Sequence, residues 1–164
     1  MKIRDVTIDD AARITEIYNY YIRETVITFE IEEVNSQDFA ERIQGTVGRG
    51  HPYLVIEQDD RVVGYAYADR WRHRVAYQHT VEAGIYLDHQ AIGNGLGYQL
   101  YAGLIERLRA AGRYHVVIGG LTVPNEASER LHARLGFENV ALFKQVGRKF
   151  DRWLDVRMMQ LTLT

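Results

Sequence analysis

Apolar and polar positions recur along the 164 residues in two rhythms, one of period two and one of about 3.6, and the switches between them mark the elements. Lys2 to Val6 alternates as a short strand. Thr7 or Asp9 is placed to cap a following helix, in which Ala12, Ile14, Ile17, Tyr18 and Tyr21 fall at helical spacing. Ser36 to Ile43 predicts a second helix, with Ser36 as its cap. Tyr53–Glu57 and Val62–Ala68 are apolar runs divided by Gln58-Asp59-Asp60-Arg61, a hairpin signal. Val81 to Asp88 is a further strand, and Leu96 to Ala111 an amphipathic helix closed by Gly112. Tyr114–Val123 is apolar and β-rich, Glu126–Leu135 is a short helix ending before Gly136, and Ala141–Val146 with Trp153–Leu163 predicts a closing pair of strands. The order β-α-α-β-β-β-α-β-α-β-β predicts an α/β fold: a mixed, mostly antiparallel twisted sheet with helices on both faces.

Composition narrows this picture. With 46% hydrophobic and 26% charged residues, two prolines and no low-complexity linker, residues 1–164 are expected to form a single domain. A formal net charge of −2 offers no general field for nucleic acid or an anionic membrane. No apolar run reaches the ~18–20 residues of a spanning helix, and the charged start Lys2–Asp5 is unlike a signal peptide. The absence of cysteine excludes disulfides, thiolate zinc sites and a cysteine nucleophile, and suits a cytoplasmic location. The six histidines contain no close helical pair of ligand type, so no metal is expected.

The sharpest chemical signal is Gly93-Asn94-Gly95-Leu96-Gly97, between a strand and a helix. Glycine allows a tight turn and close backbone approach to a ligand, and the free amides at the next helix start suit a phosphate. A flexible turn with no ligand is the competing reading. A dinucleotide fingerprint fails, because Tyr98 or Leu100 stands at the third glycine's place. A P-loop fails too, since Tyr98-Gln99 follows Gly97.

Other residues carry chemistry with an ordinary reading beside it. Glu82, Gly84 and Tyr86 share one face of their strand, opposite Val81, Ala83, Ile85 and Leu87. A strand glutamate commonly faces solvent, but the small Gly84 beside it suggests room for a ligand. Asn125 before Glu126-Ala127-Ser128 is a plausible helix cap. His132 stands alone among Leu131, Ala133 and Leu135, as structural or exposed histidines do. Arg70-Trp71-Arg72-His73-Arg74 is either a solvated loop or an anion clamp, since guanidinium forks match carboxylate and phosphinate oxygens.

Taken together, these motifs resemble the GNAT superfamily, and within it the phosphinothricin and methionine sulfoximine acetyltransferases. The resemblance rests on the glycine loop with Thr80–Leu87 before it, Asn125–Ser128, and Leu131–Phe137. It extends to Tyr18-Asn19, Thr28-Phe29-Glu30, Trp71–Tyr77, Val146–Phe150 and Trp153-Leu154-Asp155, nearly the whole chain. It implies an acetyl-CoA-dependent N-acetyltransferase acting on a small amino-acid-like amine by direct attack in a ternary complex. The cofactor would lie along Ile85, Tyr86 and Leu87, with its pyrophosphate on Gly93, Asn94, Gly95, Leu96, Gly97 and Tyr98, and further contacts from Asn125 and Ser128. The resemblance makes Glu82 the general base and gives His132 a role as proton donor to the thiolate or as substrate-orienting group. Phe29, Arg72, His73, Arg74, Ala83, Gly84 and Tyr86 would join Glu82 in holding the substrate. Relatives are commonly homodimers, and the Trp153–Leu163 strand would be either interfacial or internal. The chain departs from the pattern at Ile92, where Gln or Arg is usual, and at Ala83-Gly84, His73 and Arg148. A protein or peptide N-acetyltransferase and a non-catalytic CoA-binding sensor are the alternative functions.

Overall fold

Asp59 and Asp60 both adopt positive φ, 50° and 59°, the left-handed pair whose twist matches that of an antiparallel hairpin. They join β2 (Tyr53–Gln58) to β3 (Arg61–Arg70), and β1 (Lys2–Asp5) pairs with the other side of β2. The computed structural model describes all residues 1–164. Its remaining elements are α1 (Ala11–Glu24), α2 (Ser36–Gly48), β4 (Thr80–Leu87), α3 (Leu96–Ala111), β5 (Val116–Val123), α4 (Glu126–Arg134), β6 (Glu138–Lys149) and β7 (Arg152–Thr162). Short 3-10 turns precede α1 and β4.

The strands form one seven-stranded sheet in the order β1-β2-β3-β4-β5-β7-β6. β4 and β5 run parallel, and every other neighbouring pair is antiparallel. The sheet is covered on both faces. Leu54, Ile56, Ala66 and Val81 pack with Leu100, Tyr101, Leu104 and Leu108 of α3. Tyr53, Val55 and Tyr65 face the other way, against Ile14, Ile17, Tyr21 and Ile22 of α1 and Phe39 and Ile43 of α2. Both parities of β2 are therefore buried, and its sequence reads as an unbroken apolar run.

The predicted element order and two-faced sheet hold, with local corrections. Ala12 is exposed; the buried stripe of α1 instead begins at Ala11 and continues through Ile14, Thr15, Ile17 and Tyr18. The cap of α2 is Asn35, whose Oδ1 accepts from the Asp38 amide at 2.8 Å, and Ser36 is already helical. That helix runs five residues past Ile43 because Thr46 is buried and anchored on Asp69. The closing strands are longer than their apolar runs: β6 carries exposed side chains on nearly every residue, so its length is set by pairing with β7. β7 is internal, paired on both sides, and β6 is the sheet edge.

Charges pin the ends of these elements. Arg4 forks onto both oxygens of buried Asp10 at 2.8 and 2.9 Å, holding that carboxyl below its ordinary value despite burial. Arg42 does the same for Glu30. A carboxyl with a depressed folded-state pKa stabilises the fold above its unfolded value and loses that contribution as pH falls through the folded one. Urea midpoints are therefore expected to drop as the pH falls below the ordinary values of 4.5 for Glu30 and 3.8 for Asp10. Arg4→Gln should flatten that acid limb; an identical pH dependence in the variant would remove Asp10 as its source.

Candidate active site

Only three residue pairs join β4 to β5, from Thr80–Val116 to Glu82–Ile118. Beyond Glu82, β4 continues beside β3 as far as Leu87, while β5 continues beside β7 as far as Val123. The sheet splits there. The opening is lined by Ala83–Tyr86 on one side and Gly120–Thr122 on the other, with Asn125, Ser128 and His132 of the α4 segment and Ile27 closing it. From Ala83 onward, one edge of β4 faces this cleft instead of a strand.

Glu82 stands at the vertex of the split. Its side chain retains solvent contact, yet burial pushes its pKa up from the ordinary 4.5, with no neighbouring cation to oppose the shift. A Cβ on Gly120 would lie 3.4 Å from Glu82 Oε1, so the glycine leaves space over the carboxylate. Gly84 behaves differently from the sequence expectation. The Tyr67 ring fills the space it leaves, 2.8–3.0 Å from where a Cβ would sit, so that room is taken by the protein itself. Burial, with Glu82 nearby, raises Tyr67 to about 12. Tyr86 packs against Tyr18, Tyr21 and Tyr65, so only its backbone borders the cleft.

His132 approaches from the opposite sheet face and is almost fully buried. Its Nδ1 lies 2.8 Å from the Ser128 carbonyl, which can only accept, so Nδ1 carries the proton. Nε2 lies 3.1 Å from the Tyr101 hydroxyl, which donates to it when the ring is neutral. Burial lowers the His132 pKa, favouring that neutral form. Gly119 is required by this packing, since a Cβ there would fall 2.7 Å from Nε2. The consecutive glycines of β5 thus clear the two faces of the sheet separately, Gly119 for His132 and Gly120 for Glu82.

The glycine loop follows the open end of β4. Asp88 fixes its start, ion-paired with Arg13 of α1 and accepting from the Gln90 amide at 2.9 Å. Gly93 and Gly95 have φ of +97° and +74°, and an added Cβ at either meets no protein atom within 4 Å. Gly95 is the N-cap of α3 and no side chain caps that helix. Uncapped first-turn amides beside an open glycine surface suit an anionic diphosphate, and the missing side-chain donor at Ile92 leaves this backbone cradle intact. Asn125 caps α4 by accepting from the Ser128 amide at 3.2 Å, and both residues also border the cleft.

The predicted substrate residues are not all brought together. Arg72 folds back over the rings of Trp71 and Tyr77, at 4.4 and 5.7 Å. Arg72, His73 and Arg74 are exposed and do not line the cleft. Phe29 lies against Gly147 of β6, where any Cβ would collide with its ring. Its loop is held by buried Lys149, which donates to the Thr28 carbonyl at 2.9 Å, and this brings Ile27 to the cleft mouth. Ile27, Tyr67, Tyr101 and the Gly119-Gly120 pair were not singled out from the sequence. Only the glycine pair carried a local signal, being unusual inside a strand.

Residues 3–158 match the acetyltransferase (GNAT) domain family. The chain belongs to that family. It is an N-acetyltransferase. The chain is 39% identical to the L-methionine sulfoximine/L-methionine sulfone acetyltransferase of Salmonella typhimurium over 163 residues, covering 99% of this chain and 95% of that one. It is 37% identical over 159 residues to the phosphinothricin N-acetyltransferase of Streptomyces coelicolor, covering 95% and 92%. An acetyltransferase from Salmonella typhimurium, solved with its cofactor acetyl-CoA, superposes with a TM-score of 0.97 at 38% identity, covering 100% of this chain and 94% of that one. No helix of this acetyltransferase is long and apolar enough to cross a membrane.

Proposed function

We propose that this enzyme transfers the acetyl group of acetyl-CoA to the amino group of a small amino-acid-like substrate, such as methionine sulfoximine or phosphinothricin. The reading rests chiefly on Glu82, a carboxylate with a raised pKa and no cationic partner at the vertex of the β4–β5 split. Acetyl-CoA supplies an activated thioester, with its pantetheine arm along the free edge of β4 and its pyrophosphate on Gly93–Tyr98. Within one ternary complex the amine nitrogen adds to the acetyl carbon, the C–S bond breaks, and Glu82 takes the amine's proton, directly or through water. A β4 amide facing the cleft stabilises the developing oxyanion. His132, with both nitrogens engaged, orients the cleft wall through Tyr101 and Ser128, and the departing thiolate takes its proton from solvent. Of the cationic segment, the exposed His73 and Arg74 are the candidates for the substrate's acidic group, whereas the Arg72 guanidinium lies over Trp71. The enzyme acts as a single domain, residues 1–164, in the cytoplasm.

Thiol release from acetyl-CoA, measured against a panel of amino acids, their sulfoximine and phosphinate analogues and an N-terminal peptide, tests the activity. Acetylation of the amino-acid arm is expected. Turnover confined to the peptide would replace the reading with a protein acetyltransferase, and acetyl-CoA binding without turnover on any amine would make the chain a sensor.

We also propose a homodimer built on the β6 edge. Leu142, Phe143 and Val146 of β6 and Trp153 of β7 are exposed on one hairpin, beside backbone groups that have no strand partner. Phe143→Lys with Val146→Lys should halve the mass seen by sedimentation velocity. An unchanged mass would exclude this edge.

A further inference from the structure

At the end of the sheet away from the glycine loop, a cavity of about 310 Å³ is lined by polar side chains alone. Arg49, Arg70 and Arg113 converge on it with His51 and His79. β4 begins beside this cavity at Thr80 and ends at Leu87 before the loop, roughly 25 Å away at ~3.3 Å per residue. The site is therefore separate from the phosphate cradle of the active site.

Three arginines and no carboxylate line this cavity, and Asp69 is the carboxylate paired with one of them. Its oxygens are already committed to Arg49, the Thr46 hydroxyl and the Arg70 amide. Arg70 and Arg113 have no carboxylate partner. Like charges of this kind repel unless a counter-charge joins them. Arg49 is held by Asp69, and Arg113 is fixed as well. Arg113 donates to the Gly50 carbonyl at 2.6 Å and to the Tyr114 hydroxyl at 2.5 Å, with its guanidinium 4.7 Å from the Tyr114 ring. The Tyr114 hydroxyl in turn meets His51 Nδ1 at 2.9 Å. His79 Nδ1 donates to the Arg113 carbonyl at 2.6 Å, which leaves its Nε2 free. Burial lowers the His51 pKa, so the excess charge comes from the arginines.

We infer that this cavity binds a small dianionic oxyanion, free phosphate or a phosphate monoester, on Arg70 and Arg113 with Arg49 and His79 completing the ring. Two unpaired guanidinium groups match the charge of such a ligand, and their forked donors match its oxygens. The ligand would tie α2, the β3 end and the α3–β5 connection into one unit.

Titration of inorganic phosphate and of glycerol phosphate into protein saturated with CoA, at ionic strength held constant with chloride, tests this with the glycine loop already filled. Phosphorus NMR line broadening and calorimetry should report saturable binding of one or both, the monoester binding more tightly if a metabolite is the natural occupant. Arg70→Gln and Arg113→Gln should each weaken it by about tenfold or more, with CoA affinity unchanged. Should Arg113→Gln fail to fold, Arg70→Gln decides alone, because its side chain braces no other element. Binding no better than chloride, binding abolished by CoA, or equal binding in wild type and Arg70→Gln would each overturn the assignment.

Discussion

Glu82→Gln is expected to lower kcat by about 10²–10⁴ while leaving acetyl-CoA affinity near wild type, because the amide keeps the shape of the side chain and loses its basicity. The pH profile gives an independent reading. Glu82 must be ionised to accept a proton, so wild-type kcat/KM should fall as the pH drops through its pKa, which burial raises above 4.5. In the variant that acid limb should vanish. Near-normal turnover across the pH range would end the general-base assignment. A second limb in the histidine range would restore an acid–base role to His132, whose hydrogen bonds to Ser128 and Tyr101 otherwise leave it no proton to give.

The second large effect is expected at the loop. Gly95→Val places a branched side chain in space that no protein atom occupies and forces a β-branched residue to φ of +74°. The left-handed strain costs about 1–2 kcal/mol of stability. Obstruction of charge-assisted amide contacts worth ~1.5–3 kcal/mol each should weaken acetyl-CoA binding by about 10²-fold. Gly112→Val supplies the control. That residue caps the far end of α3 at φ of +67°, also in open space, so it shares the strain without the cradle. Calorimetry should separate them: equal losses of affinity in both variants would mean general destabilisation, and an unchanged Kd at Gly95 would sink the pyrophosphate assignment.

Much of this was legible in the chain because it is local. The alternation along Val81–Leu87 placed Glu82 opposite the α3-facing residues, where it lies. The glycines bracketing α3 marked its first and last turns. What stayed hidden depends on contacts between distant segments. Nothing near Gly84 announces that Tyr67, seventeen positions earlier, claims its space. The cap on α2 slipped by one residue because Asn35 and Ser36 are both good caps, and the fold selects between them. Composition marks Arg72 as a candidate ligand clamp, but it does not show that the guanidinium lies over Trp71 and Tyr77. Above all, the split beside Glu82 arises because β5 stays with β7 as far as Val123 while β4 stays with β3 as far as Leu87, and β7 comes from the far end of the chain.

That split has a consequence for selectivity by thickness. An unpaired strand edge normally lies at the margin of a sheet, where any passing polypeptide can add to it. Here it is sunk between β3 and β5, with the α4 segment over one end. A second polypeptide would have to fit the side chains of alternate residues into the gap between β4 and β5. The cysteamine and β-alanine part of a pantetheine arm carries amides spaced by methylenes with no side chain, and its branched pantoyl part lies further toward the phosphates. The enzyme thereby keeps an adhesive surface at its centre without becoming sticky toward other proteins, and the shape of the gap decides what reaches it before any hydrogen bond forms.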